Sequence, residues 1–307
     1  MPLVSIRHRT TYRYRNPVAF GEHRMRMRPL EAFDQRLLAY ELDLSPQPSQ
    51  LRHLHDLTDA AVAVARFQAR AAELTVESRA LIDHRPDETT HPDAIETAIG
   101  GEPFAYDADE ASALATSIRR RCADAGEVEA WTRRFLRPVG RTRLAAVLCD
   151  MTHHLRTGFT YEVRPVGPPQ TPLVTLARRR GSCRDYALLM IEAARSLGLA
   201  ARFASGYVYS GSAKSSSGPG HGHTHAWVRV YLPDGGWTDF DPTNGAVGAA
   251  GLIRVAVATD PLTALPLHGS WRGLASDFLG MDVEVDISAD AEAARQPPAH
   301  LRVAGSG

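Results

Sequence analysis

Cysteine is scarce in this chain: three in 307 residues, at positions 122, 149 and 183. An odd, widely spaced set excludes a disulfide framework and suits a reducing compartment. A charge excess is also missing. Lys plus Arg is 35 and Asp plus Glu is 35, so no overall field argues for nucleic acid or an anionic membrane. The arginines of 24–28 and of Arg178–Arg180 read as a solvated strand face and a helix end. No apolar run approaches membrane-spanning length. The opening segment, Met1–Arg9, lacks the apolar core of a secretory signal. Calcium-loop spacing of acidic residues is absent, and no internal repeat is visible. These absences lead us to expect a cytoplasmic protein with no nucleic-acid or membrane partner and no required cofactor.

What remains is ordinary globular composition, 44% hydrophobic and 23% charged, in a chain long enough for two domains. Residues 1–90 read as a β-rich domain of short strands divided by turns, the pattern of an antiparallel sandwich. The candidate strands are Ser5–Tyr14, Phe20–Leu30, Leu38–Leu44, Ala61–Phe67 and Glu73–Ile82. Asn16-Pro17 marks a turn, and alanines keep helix open as a competing reading for the last two strands. His84–Tyr106, with three prolines, reads as a linker. Over 91–140, linker gives way to helices at Asp109–Arg120 and Ala125–Phe135. From 141 to 287 the pattern is α+β: helices at Arg141–Leu155, Leu173–Arg179 and from Cys183 to Leu197, then strands at Ala201–Tyr209, His225–Leu232 and Trp237–Phe240. Leu252–Ala258 and Met281–Ile287 read as further strands. Ser210–Thr224 is a Gly/Ser loop and 288–307 a loose tail.

Cys183 stands apart from the other two thiols. Cys149 lies on an apolar helix face and, with Cys122, reads as a small buried hydrophobe. Cys183 instead opens a helix. Ser182 and Asp185 have capping-box spacing, apolar residues recur at Leu188, Ile191, Ala194 and Leu197, and Gly198 fits the stop. Free backbone N–H groups and the positive end of the helix dipole favour a thiolate at that position. Arg184 adds positive charge, and Asp185 opposes it if it points at the sulfur.

A thiolate needs a base, and the base needs an orienting group. The hairpin around Pro233–Gly236 supplies both, with His225 on one strand and Asp241 or Asp239 on the other. The carboxylate would hold one ring nitrogen while the other takes the Cys183 proton. The Cys183 backbone N–H is a natural oxyanion donor. Trp227 and Asn244, beside the His and Asp positions, are the candidate substrate-binding residues, with hairpin packing as the plain alternative for Trp227. His221, His223 and His225 at alternate positions raise a metal site, disfavoured because two of them fall in the Gly/Ser loop.

Three ordered blocks, Gly181–Ala187, Thr224–Pro233 and Gly236-Trp237 with Asp241–Gly245, resemble the transglutaminase-like superfamily. Phe159–Tyr161 and Thr171-Pro172 fit its bacterial branch, and Ile6–Pro29 is similar to the opening of the β domain that precedes the core there. Arg254–Ala258 through Gly280–Asp286 resembles its closing segment. The resemblance implies a papain-like α+β core, with the nucleophile helix packed on an antiparallel sheet. It implies Cys183, His225 and Asp241 as the catalytic set, favouring Asp241 over Asp239. Tyr161 is the candidate counterpart of an oxyanion-assisting aromatic. The implied activity is amide cleavage through a Cys183 thioester on a peptide or protein substrate, released to water or to an amine. The alternative is a catalytically idle peptide- or partner-binding module.

Overall fold

The computed structural model describes residues 3–86, 95–164, 167–209, 223–233 and 235–289. Its first element, β1 (Leu3–Met25), alternates buried and partly exposed residues from Val4 to Thr10, as period-two geometry requires. Sequence pattern predicts a turn at Asn16-Pro17, but β1 runs straight through it. The reason lies in its partners. Pairing with β5 is interrupted between Arg13 and Val18, so the missing Pro17 N–H costs no ladder bond there. Beyond the break β1 acquires new neighbours instead of reversing.

β2 (Gln35–Ser45), β3 (Gln50–His55), β4 (Ala61–Arg66) and β5 (Arg70–His84) complete the first part of the sheet, in the order β2-β5-β1-β4-β3. The alanine-rich stretches form strands because they lie between paired neighbours. β4 is flanked by β1 and β3 and buries Val62–Ala65. β3 escaped prediction because it is an exposed, polar edge.

The second half opens with β6 (Ala98–Ile99), α1 (Ala108–Ile118), α2 (Glu127–Arg133), β7 (Thr142–Arg143) and α3 (Leu144–Gly158). Within the expected linker, residues 87–94 lie outside the described set, and the rest is a packed strap. Ile95 and Ile99 are buried in the main core. The Tyr106 hydroxyl donates to the Tyr231 carbonyl and accepts from the Ala200 N–H. Next come β8 (Thr160–Tyr161), α4 (Pro172–Arg178), β9 (Arg180–Gly181) and α5 (Cys183–Ser196). A five-stranded antiparallel sheet follows: β10 (Ala201–Val208), β11 (His223–Leu232), β12 (Gly236–Asp241), β13 (Ala246–Val247) and β14 (Leu252–Ala258), in the order β13-β12-β11-β10-β14. α5 packs its apolar side on β10 and β11.

The last strands, β15 (Leu267–Arg272) and β16 (Phe278–Ser288), return to the first sheet, where both pair antiparallel with β1. The chain thus closes on its own opening strand. The two halves share an apolar layer of Val4, Ile6 and Ile82 against Tyr207, Ile253 and Val255. Among the described residues no helix is long and apolar enough to cross a membrane.

Candidate active site

Cys183 is the first residue of α5, with Ser182 as its N-cap. Asp185 turns away from the sulfur. Its carboxylate accepts from the Ser182 backbone N–H at 2.7 Å and hydroxyl at 2.9 Å. It also accepts from the Gln170 backbone N–H at 2.7 Å and from Arg164 at 2.8 Å. Burial pushes this carboxyl up, but the bonds from Ser182 and Gln170 outweigh it and hold Asp185 below the usual carboxylate range. The charge that could have opposed a thiolate is therefore spent on building the helix start. Gly181 makes room for this: a Cβ there would sit 2.8 Å from the Asp185 Cβ.

β11 carries His225 to the sulfur. Its cross-strand partner is Gly206, beside the irregularity where β10 meets β14. A Cβ on Gly206 would lie 1.9 Å from the Ile253 carbonyl oxygen, so only glycine lets the strands close here. The His225 Nε2 lies 2.8 Å from Asp241 Oδ2, which leaves Nδ1 for the thiol. Burial works against ionisation of Cys183. The hydrogen bond and charge of His225, the Ala226 backbone N–H and the Arg184 charge overcome it and hold the thiol below its usual value. Burial likewise disfavours imidazolium, but Asp241 and Cys183 raise His225 to about 10. The two shifts together favour a thiolate–imidazolium pair.

Asp241 ends β12 and is itself held in place. Its Oδ1 accepts from the backbone N–H groups of Thr243 at 3.0 Å and Asn244 at 3.2 Å. The Asn244 side-chain amide donates to Oδ2 at 2.7 Å. Asn244, expected at the substrate, thus has its amide on the carboxylate that orients His225.

Trp227 corrects an expectation. It is fully buried, so it cannot meet a substrate. Alternation along β11 places its ring beside the imidazole, with centroids 6.1 Å apart, and turns its indole inward. There the indole N–H donates to Asp239 Oδ1 at 2.7 Å. Asp239, the other candidate orienter, is occupied by that bond and by Arg229 and Arg254, away from His225.

Tyr161 reaches the sulfur from β8. Burial, then the negative charge of the neighbouring Cys183, push its hydroxyl up to about 12, so it stays protonated. The residue is 46% exposed, which leaves it open to a ligand. His221 lies outside the described residues and His223 is exposed. No group of three His, Cys, Asp or Glu side chains gathers to hold a metal among the described residues. Sequence reading missed the Ala226 N–H, Gln170 and Arg164. None has a periodic or motif signal, since each depends on which loop lies over α5.

Residues 139–242 match the transglutaminase-like superfamily, and residues 4–83 match the bacterial transglutaminase-like N-terminal region. The chain belongs to the transglutaminase-like superfamily. Two relatives cover nearly the whole chain. An uncharacterised protein of Mycobacterium leprae is 25% identical over 280 residues, 91% of this chain and 96% of that one. An uncharacterised protein of Mycobacterium tuberculosis is 26% identical over 292 residues, 92% of this chain and 91% of that one. The transglutaminase-like fold recurs in the crystal structure of a candidate cysteine protease from Cytophaga hutchinsonii. That structure has a TM-score of 0.67 at 17% identity, covering 93% of this chain and 90% of that one.

Proposed function

We propose that this protein is a cysteine-dependent acyl-transfer enzyme that cleaves an amide of a peptide or protein substrate through a thioester on Cys183. One observation carries the reading: Cys183 opens α5, and the imidazole that faces it, His225, has its Nε2 2.8 Å from the buried Asp241 carboxylate. The thiolate adds to the substrate carbonyl carbon. Negative charge gathers on the carbonyl oxygen, where the Cys183 backbone N–H and the Tyr161 hydroxyl are the candidate donors. The C–N bond then breaks, and the His225 imidazolium gives its proton to the departing amine. Neutral His225 takes a proton from water or from an acceptor amine, which attacks the thioester and frees the thiol. Access to the thioester decides between water and amine. An odd, widely spaced set of three cysteines is in keeping with a cytoplasmic setting for this chemistry.

The test is mass spectrometry of the intact protein after incubation with peptide amides and with a thiol alkylating agent. A single fast-labelling thiol at Cys183 and an acyl adduct, both lost in Cys183→Ala, are the expected results. Catalysis should fall at high pH as His225 loses its proton near 10, because the leaving amine then has no acid. A Cys183 that labels no faster than Cys122 would instead favour an idle binding module.

A further inference from the structure

The role of the first domain in the site can be traced through buried charge. Asp34, just before β2, is 4% exposed and forms an ion pair with Nη2 of Arg254 on β14, also 4% exposed. Nη1 of Arg254 lies 3.5 Å from Asp239 Oδ2. Asp239 accepts from Trp227 at 2.7 Å and lies 3.2 Å from Arg229 Nε. Two carboxylates and two guanidinium groups balance one another in the interior, which is the condition for burying them. Gln35 seals the same junction: its amide donates to the Arg254 carbonyl at 2.8 Å and accepts from the Arg254 N–H at 2.9 Å.

The far end of this chain of contacts meets both acid–base residues. Trp227 is two residues beyond His225 on β11, and Asp239 is two residues before Asp241 on β12. Each pair shares a strand face. The Trp227–Asp239 bond therefore ties together the two strands that carry the imidazole and its carboxylate, one rung from the site. Arg254 and Asp34 fix that rung from behind.

We propose that Asp34 of the N-terminal domain is a positioning residue for the Cys183–His225–Asp241 site, acting through Arg254 and Asp239. The inference rests on the acyl-transfer reading, and it gives the β domain a part in that chemistry. The groups that face His225 are Cys183 from α5, Asp241 from β12 and the Asn244 amide. Asp34 touches none of them, so its effect must travel through the rung.

The experiment is the pH dependence of Cys183 alkylation by neutral iodoacetamide in the full-length protein. In Asp34→Asn the midpoint should move up by about one pH unit, with labelling at pH values well below the wild-type midpoint falling on the order of tenfold. The direction is diagnostic: loss of a negative charge by itself would favour the thiolate and move the midpoint down. Asp34→Glu should restore the profile in large part. Arg254→Lys, which keeps the charge but loses the fork that bridges two carboxylates, should repeat the upward shift. Tyr209→Phe removes the His84 bond from the same domain junction and should lower Tm with no shift in the profile. A wild-type profile in Asp34→Asn or, if that variant does not fold, in Arg254→Lys overturns the inference alone. A wild-type thiol that labels as an ordinary cysteine overturns the acyl-transfer reading, and this inference with it.

Discussion

On the outer face of the first sheet, arginines and carboxylates form a ladder across β16, β1, β5 and β2. Arg7 lies 2.8 Å from Glu77 and 3.3 Å from Asp286, and Arg79 lies 3.2 Å from Asp43. At the centre of the molecule the same residue types make Asp34–Arg254–Asp239. The contact distances are alike, but the surroundings are not. The Arg7 and Asp286 side chains are 37% and 54% exposed, so water screens them and that pair contributes at most about 1 kcal/mol. The central groups are shut off from water, and removing one leaves a charge without compensation. Outside, such pairs keep a sheet face solvated. Inside, they fix where neighbouring side chains stand. Burial, not the number of ion pairs, separates the two uses.

The largest effect that would sharpen this contrast is at Asp241. Asp241→Asn keeps the shape but loses the charge that holds His225, so acyl-enzyme formation should fall on the order of 10²–10⁴-fold. Rapid-quench measurement of the adduct on Cys183 checks it, and a loss below tenfold would mean the buried carboxylate is not positioning the imidazole.

The domain junction offers an intermediate effect. His84 is fully buried, with Nδ1 2.7 Å from the Tyr209 hydroxyl, and burial lowers its pKa to about 4 from an ordinary 6.5. As pH falls, the unfolded chain takes up this proton first. The contribution of His84 is therefore complete above about 6.5 and is lost as pH drops through 4, amounting to about 3 kcal/mol by pH 4. Urea unfolding between pH 7 and 4 should show the loss, with a shallower slope in His84→Gln. An unchanged slope in that variant would show that His84 does not stay neutral in the folded protein.

The smallest effect belongs to the ladder. Arg7→Gln should change unfolding free energy by about 1 kcal/mol or less, and less still in 0.5 M salt. A cost in urea unfolding as large as that of Asp34→Asn would break the comparison outright.

Much of the site was legible because its parts are local. The Ser182–Asp185 box needs only three residues of spacing, and it put Cys183 at a helix start. His225 and Asp241 stand diagonally on the same face of one hairpin, so a single register brings them together. Strand content in the first half was readable from alternation, except at β3, an exposed polar edge with no hydrophobic period. The turn expected at Asn16-Pro17 failed for a different reason. Proline forbids a ladder bond, not a strand, and whether a bond was needed there depends on β5 and the later strands. Trp227 was misplaced because alternation gives the face of a residue without saying which face is covered.

The chain by itself determined its local chemistry: a thiol at a helix N-terminus, a histidine and a carboxylate on adjoining strands, and glycines where backbones must approach. These follow from spacing and backbone geometry within a few residues. Tertiary structure alone decided that Asp239 would serve Trp227 and Arg254 while Asp241 serves His225. It also decided that the last strands would pair with the first, and that Asp34 would lie against Arg254, 220 positions away. Contacts at such separation are set by how whole sheets bury their apolar faces, a cooperative outcome that no short stretch of sequence contains.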